Sequence, residues 1–345
     1  MALYLDIRRF CGYNRRGKIR WEVRAVEKIY VHESNIVAAG ALLSCCYGGT
    51  VTALGFFDGV HLAHRELLEK TVAVAKARGL TSAVFTFCGT GGGFKSGGRL
   101  FTDDERLYEL EALGIDVAVI CDFAAVREIS AQSFVSDVLI RLMDTRVAVS
   151  GYNFRFGKGA AGNAQLLCEL LSAVGREYVC IGEYTVLGAP VSSSRIKDEL
   201  LLGNVRGAAM LLGKPYYISG RISHGLGLGT GMGIPTANLT PEGGKLLPKR
   251  GVYFTAAKIG GREYPALTNV GTCPTLGERA LHAETFILDF SGDVYESEIK
   301  ISFIEYIREE RSFSSADELV MQIRKDERQA RRLAGELKWQ EAGQN

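Results

Sequence analysis

The chain has 345 residues, 47% of them hydrophobic and 23% charged, with a formal net charge of +2. That size suits roughly two domains, and the balanced charge gives no global pull towards nucleic acid or an anionic membrane. No run approaches the ~18 to 20 apolar residues of a membrane span, and the basic start (Arg8, Arg9, Arg15, Arg16, Lys18, Arg20) has no apolar core behind it.

The eight cysteines are Cys11, Cys45, Cys46, Cys88, Cys121, Cys168, Cys180 and Cys273. They form no C-x-x-C and no histidine pairing at metal spacing, so reduced thiols in a cytoplasmic protein are expected.

In chain order, residues 1–48 show no clear period, and their basic cluster suits a solvated tail better than a phosphate contact. Val51 to Leu54 is a short apolar run. Gly55-Phe56-Phe57-Asp58-Gly59-Val60-His61-Leu62-Ala63-His64 follows, and then a helical pattern to Gly79. Strand, glycine turn and helix N-terminus make an anion-favouring unit. His61 and His64, at i and i+3, share one face of the first turn and suit donation to phosphate oxygens; a metal pair or plain surface histidines are the alternatives.

Strands at Ser82–Phe87, Val117–Cys121, Val147–Ser150 and Tyr178–Ile181 alternate with helices at Asp103–Ala112, Ala131–Met143 and Asn163–Val174. That rhythm predicts a mostly parallel sheet with ligands at its carboxyl ends. Gly151-Tyr152-Asn153-Phe154-Arg155-Phe156-Gly157 lies at one such end. Ser192, Ser193, Ser194 and Arg195 then open a helix through Leu202. One serine is explained as an N-cap, and the group with its arginine reads as a second phosphate grip. A helix over Val205–Leu212 stops at Gly213 and Pro215.

Beyond Pro215, strands are expected at Tyr216–Arg221, Gly251–Lys258, Glu263–Asn269, Glu284–Phe290 and Glu298–Phe303, forming an antiparallel sheet or barrel. A long amphipathic helix closes the chain, about Ser315 to Lys338. Within this half, Leu228 to Leu239 carries Gly229, Gly231 and Gly233 before Pro235-Thr236-Ala237-Asn238. Exposed backbone N–H groups beside two neutral oxygens suit a phosphate tail with its Mg²⁺; a glycine-rich hairpin turn is the plain alternative.

Taken together the motifs resemble the bacterial bifunctional riboflavin kinase/FMN adenylyltransferase (FAD synthetase) family, over roughly Thr50 to Arg332. The resemblance rests on the ten residues from Gly55 to His64, Gly151 to Gly157, Ser192 to Arg195, Gly233 to Asn238, Asn269 to Thr275, and Glu284 before Asp289-Phe290. It implies a Rossmann-like nucleotidyltransferase domain over 49–214 and a β-barrel riboflavin kinase domain with a C-terminal helix over 215–338. Residues 1–48 become an extension, with part or all of Met1 to Glu22 expected to be disordered or absent from the native product.

The implied chemistry is phosphorylation of riboflavin by ATP to FMN in the second module and adenylylation of FMN by a second ATP to FAD in the first. Glu284 matches the family's base; an exposed strand charge is its plain alternative. Gly229, Gly231, Gly233, Thr236 and Asn238 match the kinase ATP site, with Thr236 and Asn238 on Mg²⁺. Asn269, Thr275, Arg308 and Phe313 lie around flavin and nucleotide. In the first module the resemblance assigns ATP and phosphate to Gly55, Phe57, Asp58, His61, His64, Ser193 and Arg195, and a flavin or nucleotide contact to Asn153. The partners are small molecules, with no nucleic acid and no membrane.

Two departures bear on adenylylation: Ala63 stands at a family glycine, and Cys88-Gly89-Thr90-Gly91-Gly92-Gly93 replaces a histidine-bearing loop. In the second module Thr230 and Cys273 stand where arginines are frequent, and Ile234 where Phe is. Competing expectations are a riboflavin kinase with a degenerate adenylyltransferase module and, from another class, a flavin-binding regulator without turnover.

Overall fold

The computed structural model describes residues 26–31, 48–88, 98–222, 236–240, 244–272, 281–290 and 297–337. Two six-stranded sheets organise them.

The first sheet uses β1 (Glu27–Val31), β2 (Thr50–Leu54), β3 (Thr81–Cys88), β4 (Val117–Asp122), β5 (Thr145–Gly151) and β6 (Glu177–Ile181). Their order is β1-β4-β3-β2-β5-β6, and every pairing is parallel. Central strands buried on both faces read as continuous apolar runs, as Val117, Ala118, Val119 and Ile120 do. β1 was not expected. It lies in the span read as an aperiodic extension, yet pairs with β4 from Glu27↔Val117 to Val31↔Cys121. Five edge residues are too few to show a period, so the sequence pattern hid them.

Helix α1 (Leu62–Arg78) starts at N-cap His61 and ends at Gly79, whose φ of 64° provides the left-handed cap. Helix α2 (Asp103–Ala112) has a capping box between Thr102 and Glu105. The helix expected over Ala131–Met143 is π-helical from Phe134 to Leu142. Helix α3 (Ala164–Ser172) precedes β6. A small hairpin, β7 (Thr185–Val186) and β8 (Ala189–Pro190), leads to α4 (Ser193–Leu201) and α5 (Val205–Leu212).

The second sheet is antiparallel: β9 (Tyr217–Arg221), β10 (Thr236–Leu239), β11 (Gly251–Ile259), β12 (Arg262–Thr272), β13 (Leu281–Ile287) and β14 (Glu298–Arg308), in the order β10-β13-β12-β11-β14-β9. It curls until its edges meet: a methyl at Gly220 of β9 would sit 2.7 Å from Leu239 of β10. Helix α6 (Ala316–Glu336) covers one face, with Ala330, Leu333 and Ala334 packed on Val252, Phe254 and Leu267. β13 begins at Leu281 and turns at Asp289, so Glu284 lies in mid-strand rather than opening it.

One apolar core runs through both halves, joining Val51 of β2, Leu68 of α1 and Leu110 of α2 to Tyr216, Tyr253 of β11 and Phe303 of β14. At the junction, Glu105 and Glu109, one turn apart on α2, are 5% and 3% exposed. Glu105 accepts from Ser219 Oγ at 2.8 Å and is ion-paired with Lys245. Glu109 accepts from Tyr217 at 3.0 Å and from Arg65 at 3.1 Å, and is ion-paired with Lys214. Lys245 also lies 4.6 Å from the Phe101 ring centre and 4.9 Å from that of Tyr216. Among the described residues, no helix is long and apolar enough to cross a membrane.

Candidate active sites

From β2 the chain steps to β3 and β4 on one side, then returns to β5 and β6 on the other. Such a switch point opens a crevice at the strand carboxyl ends. A cleft of about 730 Å³ lies there, reached by the loops after β2, β5 and β6 and by the start of α4.

His61 Nδ1 accepts the His64 backbone N–H at 3.3 Å, capping α1, and the two rings stack at 3.6 Å. With Nδ1 accepting, the ring proton of neutral His61 is on Nε2 and can be donated. Burial pulls the His61 imidazole down to about 4, and burial followed by the His61 charge pulls His64 well below its ordinary value. Both lowered values favour neutral rings at pH 7, which leaves N–H donation as what the pair can offer a ligand. His64 Nδ1 is enclosed without a hydrogen-bond partner among the described residues. The Phe57 ring meets His64 edge-on at 5.2 Å. The turn feeding this helix holds left-handed φ values at Phe57 (52°), Gly59 (87°) and Val60 (40°). For a β-branched Val that is strained, and such strain gathers at ligand-binding turns.

Asp58, assigned from sequence to phosphate binding, has its carboxylate committed elsewhere. Oδ1 accepts from the N–H groups of Leu100 (2.9 Å) and Phe101 (3.2 Å), and Oδ2 pairs with Lys197 at 3.2 Å. Ser193 Oγ donates to the Asp58 carbonyl at 2.9 Å, tying the second loop to the first. Ser192 is the N-cap of α4, and Ser192, Ser193 and Ser194 line the cleft. Arg195 does not join them: its Nη1 donates to the Val186 and Ala189 carbonyls at 3.1 and 2.9 Å, holding the β7–β8 hairpin. The cations lining the cleft are instead Arg127, Arg155 and Lys197, the last about one helical turn after Ser193. Gly55 is close-packed, since a methyl there would meet the Phe57 ring at 3.0 Å. Asn153 and Ala63 also line the cleft. The replacement loop after Cys88 lies outside the described residues.

In the second sheet, Asn238↔Glu284 on β10–β13 and Glu284↔Asn269 on β13–β12 are register partners. Three residues far apart in sequence thus stand side by side across three strands. Alternation turns Ala237 and Leu239 inward, at 2% and 1% exposed, and leaves Thr236 and Asn238 together on the other face. Glu284 keeps 44% of its side chain exposed, with Oε1 3.3 Å from His282 Nε2. Asn269 Nδ2 donates to Glu310 at 3.3 Å.

Arg308, expected around flavin, anchors α6: its Nε and Nη2 reach Asp326 Oδ2 at 3.0 and 2.8 Å, and Asp326 is 3% exposed. Phe313 lies under Arg311, 4.9 Å from the guanidinium carbon to the ring centre. Gly229, Gly231, Gly233, Thr275, Thr230, Cys273 and Ile234 lie outside the described residues. Among the described residues, no group of three or more His, Cys, Asp or Glu could hold a metal.

Sequence reading missed His282, although period-two alternation puts it on the face of Glu284. It also missed Lys197, and the Glu105/Glu109 pair, which looks like a solvated helix face.

A family model described as FAD synthetase matches residues 45–195, and one described as Riboflavin kinase matches residues 212–334. The chain is 33% identical over 298 residues to the bifunctional riboflavin kinase/FMN adenylyltransferase of Bacillus subtilis, covering 84% of this chain and 94% of that protein. It is 33% identical over 293 residues to the protein of that name from Escherichia coli, covering 83% and 93%. Among solved structures it matches a Streptococcus pneumoniae protein named as a macrolide-efflux protein, with a TM-score of 0.77 and 26% identity, covering 89% and 99%.

Proposed function

The chain belongs to the bifunctional riboflavin kinase/FMN adenylyltransferase family, and from that premise we propose how its residues divide two reactions. ATP phosphorylates riboflavin to FMN, and a second ATP adenylylates FMN to FAD. The two-reaction reading is favoured over kinase alone and over a flavin-binding regulator. We place adenylylation on 49–214 and the kinase on 215–338, with the extension over 1–48 contributing at least β1 to the first sheet.

The observation that carries the kinase assignment is the Asn238–Glu284–Asn269 row. Phosphoryl transfer from ATP is mainly positioning and charge neutralisation, but an alcohol nucleophile gains from a base. The half-exposed Glu284 carboxylate accepts the ribityl hydroxyl proton as that oxygen attacks the γ-phosphorus. Thr236 and Asn238 offer paired neutral oxygens of the kind Mg²⁺ takes alongside nucleotide phosphates. Bound there, Mg²⁺ would neutralise charge on the β- and γ-phosphate oxygens. Asn269 flanks the base, and the Gly229–Gly233 loop is assigned to the ADP phosphates on sequence alone.

In the first module the nucleophile is the FMN phosphate, which needs no base. His61, His64, the α1 N-terminus and Ser193 supply donors to the triphosphate as pyrophosphate leaves. Asp58, Lys197 and Arg195 hold the two loops in place, and Asn153 sits where it can touch flavin or nucleotide. The substrates are small molecules. A cytoplasmic site is part of the proposal, supported by cysteines that follow no disulfide or metal pattern.

The test is chromatographic. Riboflavin, ATP and Mg²⁺ give FAD through FMN. Glu284→Ala stops FMN formation and spares FAD formation from added FMN; His64→Ala does the reverse, with a loss of about 10² to 10³. Loss of both activities in either folded variant overturns the two-site assignment.

A further inference from the structure

From the first sheet we infer that Arg155 receives the phosphate of FMN and so sets the cleft's preference for the phosphorylated flavin. The inference rests on the placing of adenylylation in this cleft. That reaction brings two anions together. An oxygen of the FMN phosphate forms a bond to the α-phosphorus of ATP. The P–O bond on the pyrophosphate side breaks, and its electron pair leaves with pyrophosphate. The nucleophile is already an anion, so no proton has to move. What the step needs is positive charge that holds the incoming phosphate against the triphosphate.

Among the described residues, Arg127, Arg155 and Lys197 are the cations that line the cleft. Lys197 is committed within the protein, to Asp58 Oδ2 at 3.2 Å and to the Gly98 carbonyl at 2.6 Å. Arg127 pairs at 3.1 Å with Glu128, which also takes Lys158 at 3.2 Å. The carboxylates lining the cleft are Asp58, held by Lys197, and Glu183, which accepts the Tyr152 hydroxyl at 2.5 Å. Arg155 has no hydrogen bond or ion pair among the described residues. Position separates the two arginines as well. Leu54 of β2 and Ser150 of β5 are register partners. The turn carrying His61 and the loop carrying Arg155 therefore leave the sheet from adjacent strand ends, at the switch point. Arg127 ends a short helix after β4, and β3 lies between β4 and β2.

The protein itself holds the loop that presents Arg155. The Phe154 N–H donates to the Gly151 carbonyl at 3.1 Å, and Phe156 and Gly162 exchange backbone bonds of 3.2 and 2.8 Å. The Phe154 and Phe156 rings stack 5.8 Å apart, and Phe156 meets Phe134 at 5.3 Å. Gly162 admits that ring, since a methyl there would sit 2.6 Å from it. With Phe154 and Phe156 packed on the core, Asn153 and Arg155 remain exposed at the alternate positions. A guanidinium on a fixed backbone can grip two phosphate oxygens at once, and its planar fork loses little freedom in doing so.

The test follows FAD formation from added FMN and ATP. Arg155→Met keeps an apolar stem and removes the charge. It is expected to lower kcat/KM for FMN about 10- to 100-fold, with the KM for ATP within about twofold of wild type and FMN formation from riboflavin unchanged. Arg155→Lys keeps a point charge without the fork and is expected to recover part of that loss. Lumiflavin carries the flavin ring and no phosphate-bearing chain, and it is expected to inhibit wild type and Arg155→Met alike. Arg127→Met is expected to leave kcat/KM for FMN within about twofold of wild type.

An unchanged kcat/KM for FMN in Arg155→Met overturns the inference. So does a rise in the KM for ATP alone, a loss that Lys does not relieve, weaker inhibition of the Met variant by lumiflavin, or an equal loss in Arg127→Met. A wild-type rate of FAD formation in His64→Ala would instead overturn the placing of adenylylation in this cleft.

Discussion

Replacing Lys245 with Met tests what joins the two halves. Met keeps the length and apolar stem but removes the cation, so Glu105 is left buried with, among the described residues, Ser219 Oγ and the Thr102 N–H as hydrogen-bond partners. Breaking a buried pair from one side costs about 3 to 5 kcal/mol, because a charge is left uncompensated. The double variant Lys245→Met/Glu105→Met removes both charges. It still loses the Thr102 capping box, about 1 kcal/mol, but leaves no buried charge. The double variant is therefore expected to be more stable than the single one. Urea unfolding at pH 7, with midpoints and slopes compared, measures this. Additive losses, or a single variant within about 0.5 kcal/mol of wild type, would refute the description of this junction as a coupled buried pair.

Arg308→Lys cannot reproduce the forked pairing with Asp326. It should lower the melting temperature while the KM for riboflavin stays within about twofold, as befits a helix anchor; a large KM rise with unchanged melting would return Arg308 to the flavin site. Asp58→Ala should cost about 2 to 4 kcal/mol and depress FAD formation far more than FMN formation, measured by calorimetry and by product chromatography.

The alternation of strands and helices in the first half was legible because each element repeats its own period. The Glu284 strand was legible in kind but displaced, since the mixed run from Leu281 to Ala283 resembles a loop until β12 pairs with it. Individual site residues divided along a physical line. His61 and His64 could be placed because a helix N-terminus fixes them locally. Arg195 and Arg308 could not: a long side chain chooses among distant acceptors, and theirs are the hairpin carbonyls and Asp326. Glu105 and Glu109 looked like a solvent face because the lysines that bury them arrive from more than one hundred residues downstream.

That junction bears on how the two activities could be parted. Severing the chain near residue 214 would uncover two acidic side chains and the rings of Tyr216 and Tyr217, all now sealed within the fold. Neither fragment would carry a ready-made exterior. Arg106, on the same helix turn as Glu105, donates to the Phe56 and Phe87 carbonyls at 2.9 and 2.6 Å on the rim of the adenylylation cleft. The wall of one workshop is thus a joist of the other, and an independent adenylyltransferase cut from this chain would need a new surface designed along α2 before it could stand.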